Sequence, residues 1–306
     1  MLFTLLSTLP LLSLGCSSDS NNKGTAKPSL SSDAGDKGTA NDTEDEGPEP
    51  KLPAAPASCP TLQTGMVSIA NAQVEMFVGT KQTDKKAPIL LYWHGTGSTA
   101  DEIKIFMQPM IDEVVAAGGV AASFTNTVMT GTNTGNLVWY TGDYDVADAI
   151  VACAIQQLNI DTRRIYAAGC SAGGLESGSM AFARSSYLAA AMPNSGGDIL
   201  ITTFDDPTHM PSVITAHGSY AQDFVAIHFQ DTSLAEDQTI SNMGGFAIDC
   251  NHGGGHCGAP QDLIAAQWQF VKDHPFGIQE DPYANGLPST FPSYCTKVTP
   301  MPAMMQ

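Results

Sequence analysis

The feature that most limits what this chain can fold into is an alternation of short, unbroken apolar runs with longer stretches of helical spacing. Pro88-Ile89-Leu90-Leu91-Tyr92-Trp93 has no charged residue, the pattern of a strand buried on both faces. Residues 99–117 follow with Ile103, Phe106, Met110, Ile111, Val114 and Val115 at helical intervals, and stop at Gly118-Gly119. The alternation continues with a strand over 120–125 and a helix over 143–158. Next come a strand over 163–169, a helix over 172–184, and strands over 187–192 and 212–217. A helix over 263–271 closes the series. Ahead of it, 66–79 alternates with period two and predicts an opening antiparallel pair. Strands separated by helices pair in parallel beneath a helical cover, so the expected architecture is a single-domain, doubly wound, mostly parallel α/β sheet. Such sheets carry their reactive loops at the carboxyl ends of the strands.

Not all of the 306 residues belong to that domain. Residues 2–14 are almost all apolar or small, too short to span a bilayer and of the length of a signal-peptide core. They run into Leu12-Ser13-Leu14-Gly15-Cys16, which resembles the lipobox of bacterial lipoproteins. That resemblance implies a signal segment over 1–16, lipidation at Cys16, and anchoring at an outer membrane facing the periplasm or exterior. No Lys or Arg precedes the apolar run, a departure from ordinary export signals. Residues 17–58 are mostly Ser, Asp, Asn, Gly, Thr, Pro and Glu, and read as a disordered acidic linker ahead of a catalytic domain over 59–306.

Charge narrows the partners. The chain has 13 Lys plus Arg against 31 Asp plus Glu, a formal charge of −18. A field of that sign repels phosphates and acidic headgroups, which excludes nucleic acid and leaves a lipid at Cys16 as the expected membrane contact. A neutral substrate fits best. Beyond Cys16 there are six cysteines, 59, 153, 170, 250, 257 and 295, which in an exported chain read as up to three disulfides.

Gly169-Cys170-Ser171-Ala172-Gly173 falls between the strand over 163–169 and the helix over 172–184. G-x-S-x-G in that context is a sharp strand-to-helix turn that raises a serine above the sheet. The helix N-terminus behind it points free N–H groups at any oxyanion that forms there. Such a serine needs a base, and in folds of this kind the chain order is Ser, acid, His, the histidine lying between the last strand and the last helix. His252 and His256 both occupy that loop, within Cys250-Asn251-His252-Gly253-Gly254-Gly255-His256-Cys257. The acid belongs after the strand over 212–217, where Asp223 is the first carboxylate; Asp198 and Asp231 are its rivals.

Cys170 directly precedes the serine and Cys257 directly follows His256. The pair resembles the CS-D-HC arrangement of tannases and feruloyl esterases, in which those two cysteines form a disulfide. The resemblance implies that His256 rather than His252 is the base. More broadly, residues from about 66 to 277 resemble the secreted poly(3-hydroxybutyrate)-depolymerase-like esterases. The points of likeness are Trp93-His94-Gly95, Asp161-Thr162-Arg163-Arg164-Ile165-Tyr166, and His217-Gly218 with Asp223. It implies an α/β-hydrolase fold and cofactor-free ester hydrolysis, with a hydroxyalkanoate polyester as first substrate and a feruloyl or acetyl ester of plant polysaccharide as second. A binding protein on an inactive hydrolase scaffold is the non-enzyme reading. The lid insertion of large tannases has no room here, since only 27 residues separate Gly196 from Asp223.

Three further expectations attach to the site. Backbone N–H groups of Thr96 and Ala172 would form the oxyanion hole, while His94 reads as a structural anchor. Trp139 and Tyr140 either line a substrate cleft or, for the tryptophan, pack in the core. Cys250, His252, His256 and Cys257 could in principle ligate zinc, but three consecutive glycines and an oxidising compartment argue for disulfides and no metal.

Overall fold

Residues 89–93 have no solvent-facing side, because successive side chains enter two different cores. Ile89, Leu91 and Trp93 pack with Val146, Ile150 and Met180, whereas Leu90 and Tyr92 pack with Ile103, Met110, Leu263 and Phe270. The run is therefore a central strand covered on both faces, as its unbroken apolar character requires.

The computed structural model describes residues 47–125, 139, 143–198 and 203–302, and the residues from Glu44 onward form one compact unit. In chain order the elements are β1 (Gly65–Ile69), β2 (Ala72–Val78), β3 (Ala87–Trp93), α1 (Glu102–Ala116), β4 (Val120–Phe124), α2 (Tyr144–Gln157), β5 (Ile160–Cys170) and α3 (Ala172–Ala183). There follow β6 (Ala190–Asn194), β7 (Ser212–His217), the short pair β8 (Phe224–Val225) and β9 (Ile227–His228), α4 (Phe229–Asn242), β10 (Ala247–Asn251), α5 (Gln261–Asp273) and β11 (Cys295–Val298). Nine strands form one sheet in the order β1-β2-β4-β3-β5-β6-β7-β10-β11. From β4 to β10 every neighbouring pair is parallel. Antiparallel pairing is confined to the two ends, β1-β2-β4 and β10-β11. This is the mostly parallel, helix-covered α/β sheet expected from the alternation.

Several elements depart from expectation. The strand expected over 187–192 begins at Ala190, because 184–188 turn on themselves (Leu188 N–H donates to the Arg184 carbonyl) and Tyr187 is drawn to Asp148. Helix α4 and strands β10 and β11 lie outside the expected series, and the chain ends on an antiparallel edge strand rather than a helix. Residues 47–51, expected to belong to the linker, also contact the domain. The Arg163 guanidinium donates to the carbonyls of Gly47 and Pro48 and to the Glu49 carboxylate, and Lys51 pairs with Asp206 at 2.6 Å. Composition registers the lack of apolar residues over 47–58 but not these polar anchors.

Three disulfides join Cys59 to Cys153, Cys170 to Cys257 and Cys250 to Cys295. They fit an oxidising compartment. Among the described residues no helix is long and apolar enough to cross a membrane.

Candidate active site

Ser171 sits alone between the end of β5 and the start of α3, at φ 57° and ψ −119°. An L-residue at positive φ is strained and persists only where its surroundings fix it. Here Ser171 N–H donates to the Asn194 carbonyl at 3.0 Å, and its own carbonyl accepts Leu175 N–H at 2.9 Å. Gly173 is required for a different reason: a Cβ there would collide with the Trp93 carbonyl oxygen, so only glycine lets the first turn of α3 close onto the end of β3.

That closure brings the 94–97 loop against the serine. A Cβ on Gly95 would lie 3.3 Å from Ser171 Cβ. Gly95 N–H donates to Glu102 Oε1 at 2.9 Å, and the Tyr92 hydroxyl donates to the same oxygen at 2.8 Å. Thr96 follows, exposed on the same turn. Glu102 carries no signal of this role in the sequence; there it is one more acid in a first helical turn, and only its burial marks it. His94 is an anchor, with Nδ1 2.8 Å from the Gly95 carbonyl and Nε2 3.0 Å from that of Thr125. Trp139 is only 9% exposed, and its indole N–H donates to the His94 carbonyl at 2.7 Å. Of the two readings open for it, its burial suits support beneath the loop. Tyr140 and Cys16 lie outside the described residues.

On the opposite side of Ser171, His256 Nδ1 is 2.7 Å from Asp223 Oδ1. Asp223 is fully buried, and its other oxygen accepts Gly218 N–H and the Ser195 hydroxyl, each at 2.8 Å. Burial alone would raise this carboxyl's pKa. The bonds from His256, Gly218 and Ser195 outweigh that and hold it below the usual range, so it is ionised beside the imidazole. The rivals are elsewhere: Asp198 accepts the Ser179 hydroxyl and Asp231 lies in the first turn of α4. Cys170 and Cys257 are bonded with Cα atoms 5.8 Å apart, which ties the residue before Ser171 to the residue after His256. Among the described hydrogen bonds none joins Ser171 Oγ to His256, a contact that commonly tightens only when substrate is bound.

The other imidazole of the loop is differently placed. His252 Nδ1 accepts Gly254 N–H at 3.2 Å, and burial lowers its pKa. It packs under the loop as a neutral ring. Cys250 and Cys257 are each spent in disulfides, which removes two of the four groups a zinc site would need.

No protein-family model and no curated protein matches the chain. Solved structures do. The chain is similar to native pOPH, at 18% identity and a TM-score of 0.59 over 82% of this chain and 98% of that one. It is similar to native sOPH, at 18% identity and a TM-score of 0.54 over 79% and 96%. A thermostable esterase aligns at 17% identity and a TM-score of 0.50 over 69% and 62%. At these identities the likeness defines the fold, and the protein has the fold of the α/β-hydrolases.

Proposed function

We propose that the protein is a serine carboxylic-ester hydrolase with Ser171 as nucleophile, His256 as base and Asp223 as the orienting acid. One observation carries this reading: the 2.7 Å hydrogen bond between buried Asp223 and part-exposed His256 stands on a loop that Cys170–Cys257 fastens to the serine turn. Attack on the ester carbonyl passes the Ser171 proton to His256 Nε2. The tetrahedral oxyanion is held by the N–H groups of Ala172 and Thr96. Collapse expels the alcohol, which takes the proton from His256, and leaves an acyl-enzyme. Water then repeats the sequence, with His256 again accepting a proton, and frees the acid. Each step is a proton transfer or acyl transfer, so no cofactor enters.

The substrate is a neutral ester, and a hydroxyalkanoate polyester comes first. Support comes from the β8–β9 hairpin directly after Asp223. Phe224 and Val225 there are 52% and 55% exposed, Tyr220 just ahead of Asp223 is 50% exposed, and beneath them the buried Phe229 ring lies 4.7 Å from the His256 ring, so apolar side chains gather beside the base. A chain of charge −18 presenting apolar rather than basic side chains suits an uncharged, poorly soluble ester. Export and anchoring through Cys16 belong to the same reading. The test is hydrolysis of emulsified polyhydroxybutyrate, read as a clearing zone, beside methyl ferulate in solution. Clearing with little ferulate turnover is expected. Ferulate turnover without clearing would replace the polyester with a feruloyl ester, and failure on both and on p-nitrophenyl esters would overturn the hydrolase reading.

A further inference from the structure

The dipeptide at the end of β6 touches all three catalytic segments. The Asn194 carbonyl accepts Ser171 N–H at 3.0 Å, and the Asn194 amide donates to the Gly258 carbonyl at 3.2 Å. The Ser195 hydroxyl donates to Asp223 Oδ2 and accepts Cys257 N–H, both at 2.8 Å. Ser195 N–H in turn donates to the Ala216 carbonyl at 2.7 Å, on the strand that leads to Asp223. Ser195 is fully buried and holds φ at 43°, a conformation that costs an L-residue energy and calls for compensating contacts. Cys257, its partner, also has positive φ, at 55°.

We infer that Ser195, backed by Asn194, is a positioning residue that holds the acid and the histidine loop in register with the nucleophile. Its hydroxyl bonds in both directions: the proton goes to Asp223, and a lone pair takes the Cys257 amide next to His256. A shift of the histidine loop therefore strains the Ser195–Asp223 bond, and a shift of Asp223 strains the loop. The disulfide fixes the same loop covalently from Cys170, so the hydroxyl and the cross-link share one task at Cys257. Neither Asn194 nor Ser195 stands out in sequence, because Met192-Pro193-Asn194-Ser195-Gly196-Gly197 matches no catalytic motif.

The inference rests on the hydrolase reading and is separable from it. Ser171 labelling by a fluorophosphonate probe measures nucleophile activation without any choice of ester. Absence of labelling in the wild type would sink the hydrolase reading itself. Given labelling, Ser195→Gly is the informative variant, since glycine accepts φ 43° without strain and removes only the hydroxymethyl group. Labelling rate and kcat on a p-nitrophenyl ester should both fall roughly 10- to 100-fold with KM little changed, the scale of a lost hydrogen bond to a charged group in an alignment-sensitive site. The low-field proton resonance of the Asp223–His256 bond should shift in the same variant, which a purely structural role would not require. Ser195→Ala should lose activity similarly. Labelling and kcat within about twofold of wild type, or an unmoved resonance, would overturn the assignment.

Discussion

Two regions of this molecule are closed by disulfides spanning similar lengths of chain, 87 residues for Cys170–Cys257 and 94 for Cys59–Cys153, and they use them differently. Cys170–Cys257 lies at the carboxyl-end rim of the sheet. Three of the six described non-glycine residues with positive φ are there, Ser171, Ser195 and Cys257, with a buried carboxylate and close backbone contacts. Cys59–Cys153 lies at the N-terminal strap. None of those six residues falls in 47–64, and its anchors are ordinary ion pairs and backbone hydrogen bonds. Chain entropy assigns both links a comparable contribution of about 4–5 kcal/mol. What separates them is what the linked segments carry: backbone strain and the Asp223–His256 pair at the rim, attachment at the strap.

The comparison breaks first at Ser171. Ser171→Ala should lower ester turnover by roughly 10⁴-fold or more without unfolding the protein, as triad members act as a unit; a tenth of wild-type rate would remove the rim's claim to chemistry. His256→Ala should match it, while His252→Ala, which removes a packed neutral ring, should cost far less in turnover than in Tm. The reverse ranking would move the base. Cys170→Ala/Cys257→Ala should come next, with turnover down about 10²-fold at temperatures where the fold persists, since a drift of about 1 Å between reacting groups costs that much. Cys59→Ala/Cys153→Ala sharpens the contrast: up to the chain-entropy value of about 4–5 kcal/mol of stability should be lost, on the order of 10 °C in Tm for a domain of this size, with turnover at room temperature nearly unchanged. If both double variants lose activity equally, the distinction between the regions fails. Smallest is Lys51→Ala: the lysine is exposed although its partner Asp206 is buried, and about 1 kcal/mol and no activity should be lost.

The rim is largely legible in the sequence, and the reason is chemical. A sharp strand-to-helix turn leaves Gly169 and Gly173 beside Ser171, and the loop bearing His256 is marked by its histidines and Cys257. Chain order places Asp223 ahead of its rivals, and the structure puts it 2.7 Å from His256. Helix α4 is hidden because it has little apolar periodicity: it buries Ser233, Glu236, Asp237 and Ser241 beside only a few apolar side chains. Burial pushes the Glu236 and Asp237 carboxyls well up, so they pack as neutral acids that a sequence displays as charges. Ser195 and Glu102 are hidden for a related reason. Both act through hydrogen bonds to other segments, Ser195 to residues 28 and 62 positions away and Glu102 to residues 7 and 10 away, and neither residue type nor spacing records such a partner.

Strand β5 is the longest in the sheet, 11 residues from Ile160 to Cys170, and it joins the two regions mechanically. Arg163, near its start, grips Gly47, Pro48 and Glu49, while Ser171 follows its last residue. Eight residues of extended chain hold these points about 26 Å apart. The strap over 47–49 and the turn that bears Ser171 thus sit at opposite ends of one strand, held at a fixed distance by its extended backbone.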